Sequence, residues 1–182
     1  DVFFNFVSKR GANVSNTYFQ FKQFTVNQDQ TAMKVGTDGV LLGAWAMIGQ
    51  ARHILDVGTG TGLIALMLAQ RSNAFIQAIE SDGPAYRQAR ENIRQCPWPG
   101  NIHLEHITFQ EYIKHCHSHF DLVVSNPPFF QNALKPADGS RSAARHSTGL
   151  SGRELLEGTA HILSDEGRLS LILPVEEGNH FM

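Results

Sequence analysis

Short apolar runs alternate with longer amphipathic stretches along this chain, and the alternation predicts a β/α register. Residues 53–57 read as a first strand, followed by a buried helix carrying Leu63, Ile64, Leu66, Met67 and Leu68. A second strand is predicted near residues 74–80. Asp82 and Pro84 then open a helix that ends before Pro97, because Asp caps a helix well and Pro is tolerated only in its first turn. Ile102, Leu104 and Ile107 mark a third strand, and Phe120 to Ser125 a fourth. Ser151 and Glu154 have the spacing of a capping box, ahead of a helix with Leu155, Leu156, Thr159, Ala160 and Leu163 on one face. Leu169 to Leu173 supply the fifth strand. Upstream, Thr37 and Asp38 can cap a short helix containing Val40, Leu41, Leu42 and Trp45, after an irregular amino-terminal segment over residues 1–36. Internal repeats and low-complexity tracts are absent.

Such a register implies an α/β fold with a mostly parallel sheet covered by helices on both faces. A length of 182 residues, 42% hydrophobic and 18% charged, suits one domain with a substantial core. Right-handed crossovers bring the loops after the first and fourth strands to the same carboxyl edge, from neighbouring strands.

Those two loops carry the chemistry. After the first strand comes Asp56-Val57-Gly58-Thr59-Gly60-Thr61-Gly62, a glycine turn between strand and helix. Glycines let the backbone turn sharply and admit a ligand closely, while the helix amino terminus offers unpaired N–H groups. Its spacing departs from the dinucleotide fingerprint, since the third glycine follows the second by two positions rather than three. Glu80 ends the second strand, where a carboxylate can accept from ribose hydroxyls; a solvated strand end would use the same residue. After the fourth strand comes Asn126-Pro127-Pro128-Phe129. An exocyclic amine conjugated to an aromatic ring is a poor nucleophile. Two acceptors on its hydrogens, the Asn126 side-chain oxygen and the Pro127 carbonyl, would favour a more tetrahedral nitrogen. The Pro pair stiffens the loop and removes donors from it. Phe129 offers a ring on which a base can stack. A strand-terminating turn would use Asn-Pro as well.

Charge adds a partner. Net charge is −2 overall, yet residues 1–34 carry +2 and residues 131–153 carry +3, in segments expected to border the loop edge. Local positive potential of that kind attracts phosphates, through residues such as Lys34, Arg141, Arg145 and His146. Cys96 and Cys116 have no CxxC spacing, and the apolar start is too short to span a membrane, so a reduced cytoplasmic compartment is expected. His115-Cys116-His117-Ser118-His119 is metal-like in composition but lacks paired ligands at a distance, and no metal is expected. Trp45 and Trp98 are expected to pack in the interior.

The DVGTGTG and NPPF motifs resemble those of Rossmann-like adenosylmethionine-dependent methyltransferases that modify amino nitrogens. Lys34-Val35-Gly36-Thr37-Asp38-Gly39-Val40-Leu41-Leu42-Gly43, with Phe19-Gln20-Phe21-Lys22-Gln23-Phe24 before it and Ala144-Arg145-His146 after, narrows the resemblance. It points to the bacterial methyltransferases that act on N6 of adenine 37, in the anticodon loop of tRNA1(Val). The resemblance runs from about Tyr18 to the end. It implies S-adenosyl-L-methionine as methyl donor and tRNA as partner, with no metal, no membrane and no obligate protein partner. By the same resemblance Asp56, Gly58, Gly60 and Gly62 would cradle the methionine part of the cofactor and Glu80 its ribose. Thr37 and Asp38 would close over the carboxylate and amino end. Asn126 would border cofactor and target amine, with Pro127 and Phe129 completing the acceptor site. Where the family has an aspartate after the third strand for the cofactor adenine, this chain has Thr108. Protein-glutamine and ribosomal-RNA guanine-N2 methyltransferases share the Asn-Pro-Pro logic, and a non-catalytic RNA-binding module could keep the same fold. Such folds continue past the fifth strand, so the chain reads as a single methyltransferase domain over 1–182 lacking its carboxyl-terminal part.

Overall fold

Adjacent strand residues go to opposite faces, and in this chain both faces are buried. Ile54 packs into one apolar cluster and Leu55 into another, as do Ile76 and Ile79, and Leu122 and Val123. A sheet buried on both sides needs helices on both sides. The computed structural model, which describes residues 16–127, 149–175 and 178, has that architecture.

In chain order the elements are β1 (Tyr18–Gln20), β2 (Thr25–Asn27), α1 (Thr37–Trp45), β3 (His53–Val57), α2 (Leu63–Arg71), β4 (Phe75–Glu80) and α3 (Gly83–Gln95). There follow β5 (Ile102–His106), α4 (Phe109–His115), β6 (Phe120–Ser125), α5 (Gly152–Ile162) and β7 (Leu163–Leu171). The five strands β5-β4-β3-β6-β7 form one sheet, parallel at every described pairing, and β1 and β2 form a separate antiparallel hairpin. Helices α1, α2 and α3 cover one face; α4 and α5 cover the other. Leu66 and Leu68 on α2 are fully buried, each contributing roughly 1.5–3 kcal/mol through the apolar surface it removes from water.

Several predicted elements stand within a residue or two, and the departures have physical causes. The segment read as irregular holds the β1–β2 hairpin, whose strands of three residues are too short for periodicity to reveal. Asn92 on α3 binds it to the core. Its amide donates to Asn27 O and Thr61 O at 2.9 and 2.8 Å, and its oxygen accepts from Asn27 N at 2.9 Å. Helix α4 was not anticipated: Thr108 caps it in a capping box with Glu111. In α1 the cap is Gly36, without a side-chain bond, so Thr37 and Asp38 lie inside the first turn rather than capping it. Strand β7 begins at Leu163, six residues early, because its pairing jumps from Phe120 opposite Leu163 to Leu122 opposite Arg168 and the residues between bulge out. Trp45 is 73% exposed rather than packed, whereas Trp98 is half-buried with its edge against Phe24.

Candidate active site

The carboxyl edge of the sheet gathers the candidate residues. Val57 lies opposite Ser125 in the β3–β6 ladder, so the glycine turn and Asn126-Pro127 leave from adjacent, parallel strand ends. Ser125, itself buried, donates from its hydroxyl to Val57 O at 2.8 Å and ties the two exits together. Glu80 and His106 end β4 and β5, paired with each other.

Asp56 organises the glycine turn. Its Oδ2 accepts from the Thr59 hydroxyl at 2.6 Å and from Ala65 N, in the first turn of α2, at 3.1 Å. That second bond does what a capping side chain would do, because the cap position is Gly62 and has none. Asp56 is fully buried, and burial pushes its carboxyl up to about 7 despite those two donors, with Glu80 adding repulsion. Its other oxygen, Oδ1, is buried without a partner. Gly58, Gly60 and Gly62 all have positive φ, at 70°, 59° and 83°, which an L side chain resists. A Cβ on Gly58 or Gly60 would meet nothing within 4 Å, so the turn faces open space; one on Gly62 would lie 3.6 Å from the Ala89 backbone.

Glu80 is also buried, and its carboxylate joins two loops. Oε2 accepts from Gly60 N and Oε1 from Asp82 N, both at 2.8 Å. An open cradle, an orphaned carboxylate oxygen and a second carboxylate beside it suit a ligand with an ammonium at one end and vicinal hydroxyls further along. Nearby, His106 stacks on Tyr86 at 4.9 Å between ring centroids, and its Nε2 lies 3.0 Å from Ser81 O. Thr108 stands at the same edge with its hydroxyl engaged by Glu111, donating at 2.8 Å and accepting from Glu111 N at 3.2 Å. Thr37 and Asp38 are exposed at the amino end of α1, and the next residue, Gly39, faces the Asn126 amide. Lys34 turns its ammonium onto Gln28 O. Phe129, Arg141, Arg145 and His146 lie outside the described residues.

Sequence reading missed Asn92, Ser125 and Gly39. Each meets a partner far away in the chain, and spacing carries no signal of it. A cavity of about 430 Å³ lies apart from this edge, against the starts of β3, β4 and β5, lined by His53, Phe75, Gln77, His103, Tyr112 and Cys116 among others. Among the described residues no group of three His, Cys, Asp or Glu is arranged to hold a metal ion, and no helix is long and apolar enough to cross a membrane.

A glycine turn after the first core strand, a carboxylate after the second and Asn-Pro after the fourth, on a parallel α/β sheet, define a Rossmann-like methyltransferase domain. Residues 33–180 match the methyltransferase small domain family. The tRNA1(Val) (adenine(37)-N6)-methyltransferase of Trichodesmium erythraeum is 52% identical over 166 residues, covering 90% of this chain and 70% of its own. That of Parabacteroides distasonis is 51% identical over 164 residues, covering 90% and 69%. The chain belongs to the family of tRNA1(Val) (adenine(37)-N6)-methyltransferases. Among solved structures, a SAM-dependent methyltransferase from Agrobacterium tumefaciens shares the fold, with TM-score 0.62 and 16% identity over 88% of this chain and 54% of that one.

Proposed function

We propose that this chain transfers the methyl group of S-adenosylmethionine to N6 of adenine 37 in the anticodon loop of tRNA1(Val), in the cytoplasm. The observation that carries the reading is the pairing of Val57 with Ser125, from which the ligand-cradling turn and the Asn-Pro acceptor loop depart side by side. The names borne by relatives at about half identity supply the substrate.

When bound, adenosylmethionine supplies a methyl group already activated by a sulfonium, so the protein's task is alignment and exclusion of water. The turn at Gly58 and Gly60 leaves room for the methionine part, and the buried Asp56 beneath it holds the turn and adds negative charge on the side of its ammonium. Glu80 accepts from the ribose hydroxyls while keeping Gly60 in place. Thr37 and Asp38 border the carboxylate and amino end, and Thr108, with its hydroxyl held in the capping box, offers its backbone to the adenine. Asn126 Oδ1 and the Pro127 carbonyl would accept the two hydrogens of the target amine and turn its lone pair toward the methyl, so that the N–C bond would form as the sulfonium C–S bond breaks to a neutral thioether, and the surplus proton would leave for water. Phe129 stacks on the target ring, while Lys34, Arg141, Arg145 and His146 contact phosphates. An anticodon-loop adenine is single-stranded, so drawing it into the site costs little.

The test is methyl transfer to bacterial tRNA lacking the modification, with nucleoside mass spectrometry of the product. N6-methyladenosine should form and fall on the order of 100-fold in Asn126→Ala, the loss expected when a preorganised polar contact to the reacting group is removed. Cofactor affinity should change little. Near-normal transfer by Asn126→Ala, or label in protein rather than tRNA, would overturn the reading.

A further inference from the structure

Helix α1 carries two glycines, Gly39 and Gly43, neither in a left-handed conformation. Glycine inside a helix costs roughly 0.5–1 kcal/mol relative to alanine, so each position needs a reason other than backbone freedom. For Gly43 the reason is α2. A Cβ there would lie 2.6 Å from Met67 Sδ and 3.0 Å from Met67 Cβ, closer than packing permits. Gly39, one turn earlier on the same face, differs. Its Cβ would lie 3.1 Å from Leu63 Cδ2, the movable end of a side chain, and 3.7 Å from Asn126 Nδ2. Leu63 can yield by a few tenths of an ångström. The Asn126 backbone has less freedom to do so, because Ser125 before it is pinned to Val57 O and Pro127 after it is buried with a fixed φ, so its amide can yield only by turning.

We propose that Gly39 is a positioning residue for the acceptor site: the space left by its missing side chain is the seat of the Asn126 amide, and filling that seat would change which way the amide faces. With the amide nitrogen on the α1 side, the oxygen lies across Cγ from the helix, free to accept a hydrogen of the target amine. A β-branched side chain at position 39 would carry atoms roughly 1.5 Å beyond Cβ, one C–C bond, closing the 3.7 Å gap and turning the amide. This inference rests on the proposed role of Asn126 and extends it to a residue that never touches substrate.

The experiment uses the whole chain and reads kcat, KM for tRNA, Kd for adenosylmethionine and the thermal midpoint. Gly39→Val should lower kcat at least 30-fold while the cofactor Kd moves less than threefold. Adding Leu63→Ala should restore the midpoint, by relieving the α2 contact, without restoring kcat. Gly43→Ala should lower the midpoint yet leave kcat within threefold. Recovery of kcat in Gly39→Val/Leu63→Ala, or an equal loss of kcat in Gly43→Ala, would reduce Gly39 to a helix-packing residue and overturn the proposal. Should Gly39→Val fail to fold, Gly39→Thr in the Leu63→Ala background takes its place, since it too carries atoms beyond Cβ: a kcat at least threefold down is expected, and an unchanged one overturns the proposal. An inactive wild-type chain would count against the functional reading itself; an active wild type with an indifferent Gly39→Val counts against the seat alone.

Discussion

Replacing Asp56 by Asn should alter how stability depends on pH, and the size of the effect follows from burial. The carboxyl rises from 3.8 to about 7 in the fold, chiefly through desolvation. Its folded value lies above its unfolded one, so between those pH values the native state binds the extra proton. Stability therefore falls as pH climbs through that window and levels off above about 7. A displacement of about three pKa units at about 1.4 kcal/mol each makes the loss about 4 kcal/mol. Asn keeps one oxygen for the Thr59 hydroxyl and Ala65 N, and places an amide nitrogen where Oδ1 has no partner. Whatever that nitrogen costs is independent of pH. The assay is urea unfolding of both proteins at pH values from 4 to 8. The wild-type advantage over Asp56→Asn should shrink by about 4 kcal/mol from pH 4 to pH 8, since only the wild type must ionise a buried carboxyl. A difference curve that stays flat would refute the reasoning, because it would mean that Asp56 titrates like a solvated carboxyl. Cofactor affinity offers an independent reading: in the wild type it should strengthen with pH up to about 7 as Asp56 ionises, and in Asp56→Asn that dependence should vanish.

Asn92→Ala removes three hydrogen bonds that join α3 to β2 and to the glycine turn, and leaves buried backbone groups unpaired. It should cost about 2–4 kcal/mol, read in denaturant unfolding, with the β1–β2 hairpin losing amide-exchange protection first. Glu80→Gln keeps one acceptor and sets an amide N–H against either Gly60 N or Asp82 N. Cofactor affinity, by calorimetric titration, should weaken about tenfold or more, consistent with roughly 1.5–3 kcal/mol for a hydrogen bond to a charged group.

Much of this fold was legible from residue order because its signals are local. The strand at residues 53–57 is an apolar run bounded by a glycine turn, and β6 needed only Phe120 to Ser125 and the Asn-Pro stop. Asp82 with Pro84, and Ser151 with Glu154, each opened a helix as their side-chain chemistry requires. The exposure of Trp45 was not legible. An aromatic residue in an amphipathic stretch reads as core, and only the placement of α1 on α2 decides which side of the helix faces water.

For the site, the residue types by themselves pointed to the class of chemistry proposed: glycines where a ligand could approach, a carboxylate at a strand end, and Asn-Pro where a rigid acceptor would be wanted. Tertiary structure alone decided how those parts are held. Asp56 substitutes for a missing cap on α2, Glu80 joins Gly60 to Asp82, Ser125 bridges to Val57 across 68 positions, and Gly39 meets Asn126 from a helix far upstream. The physical reason is that a motif is written in covalent order, whereas desolvation and hydrogen-bond partnership depend on what the folded chain places alongside.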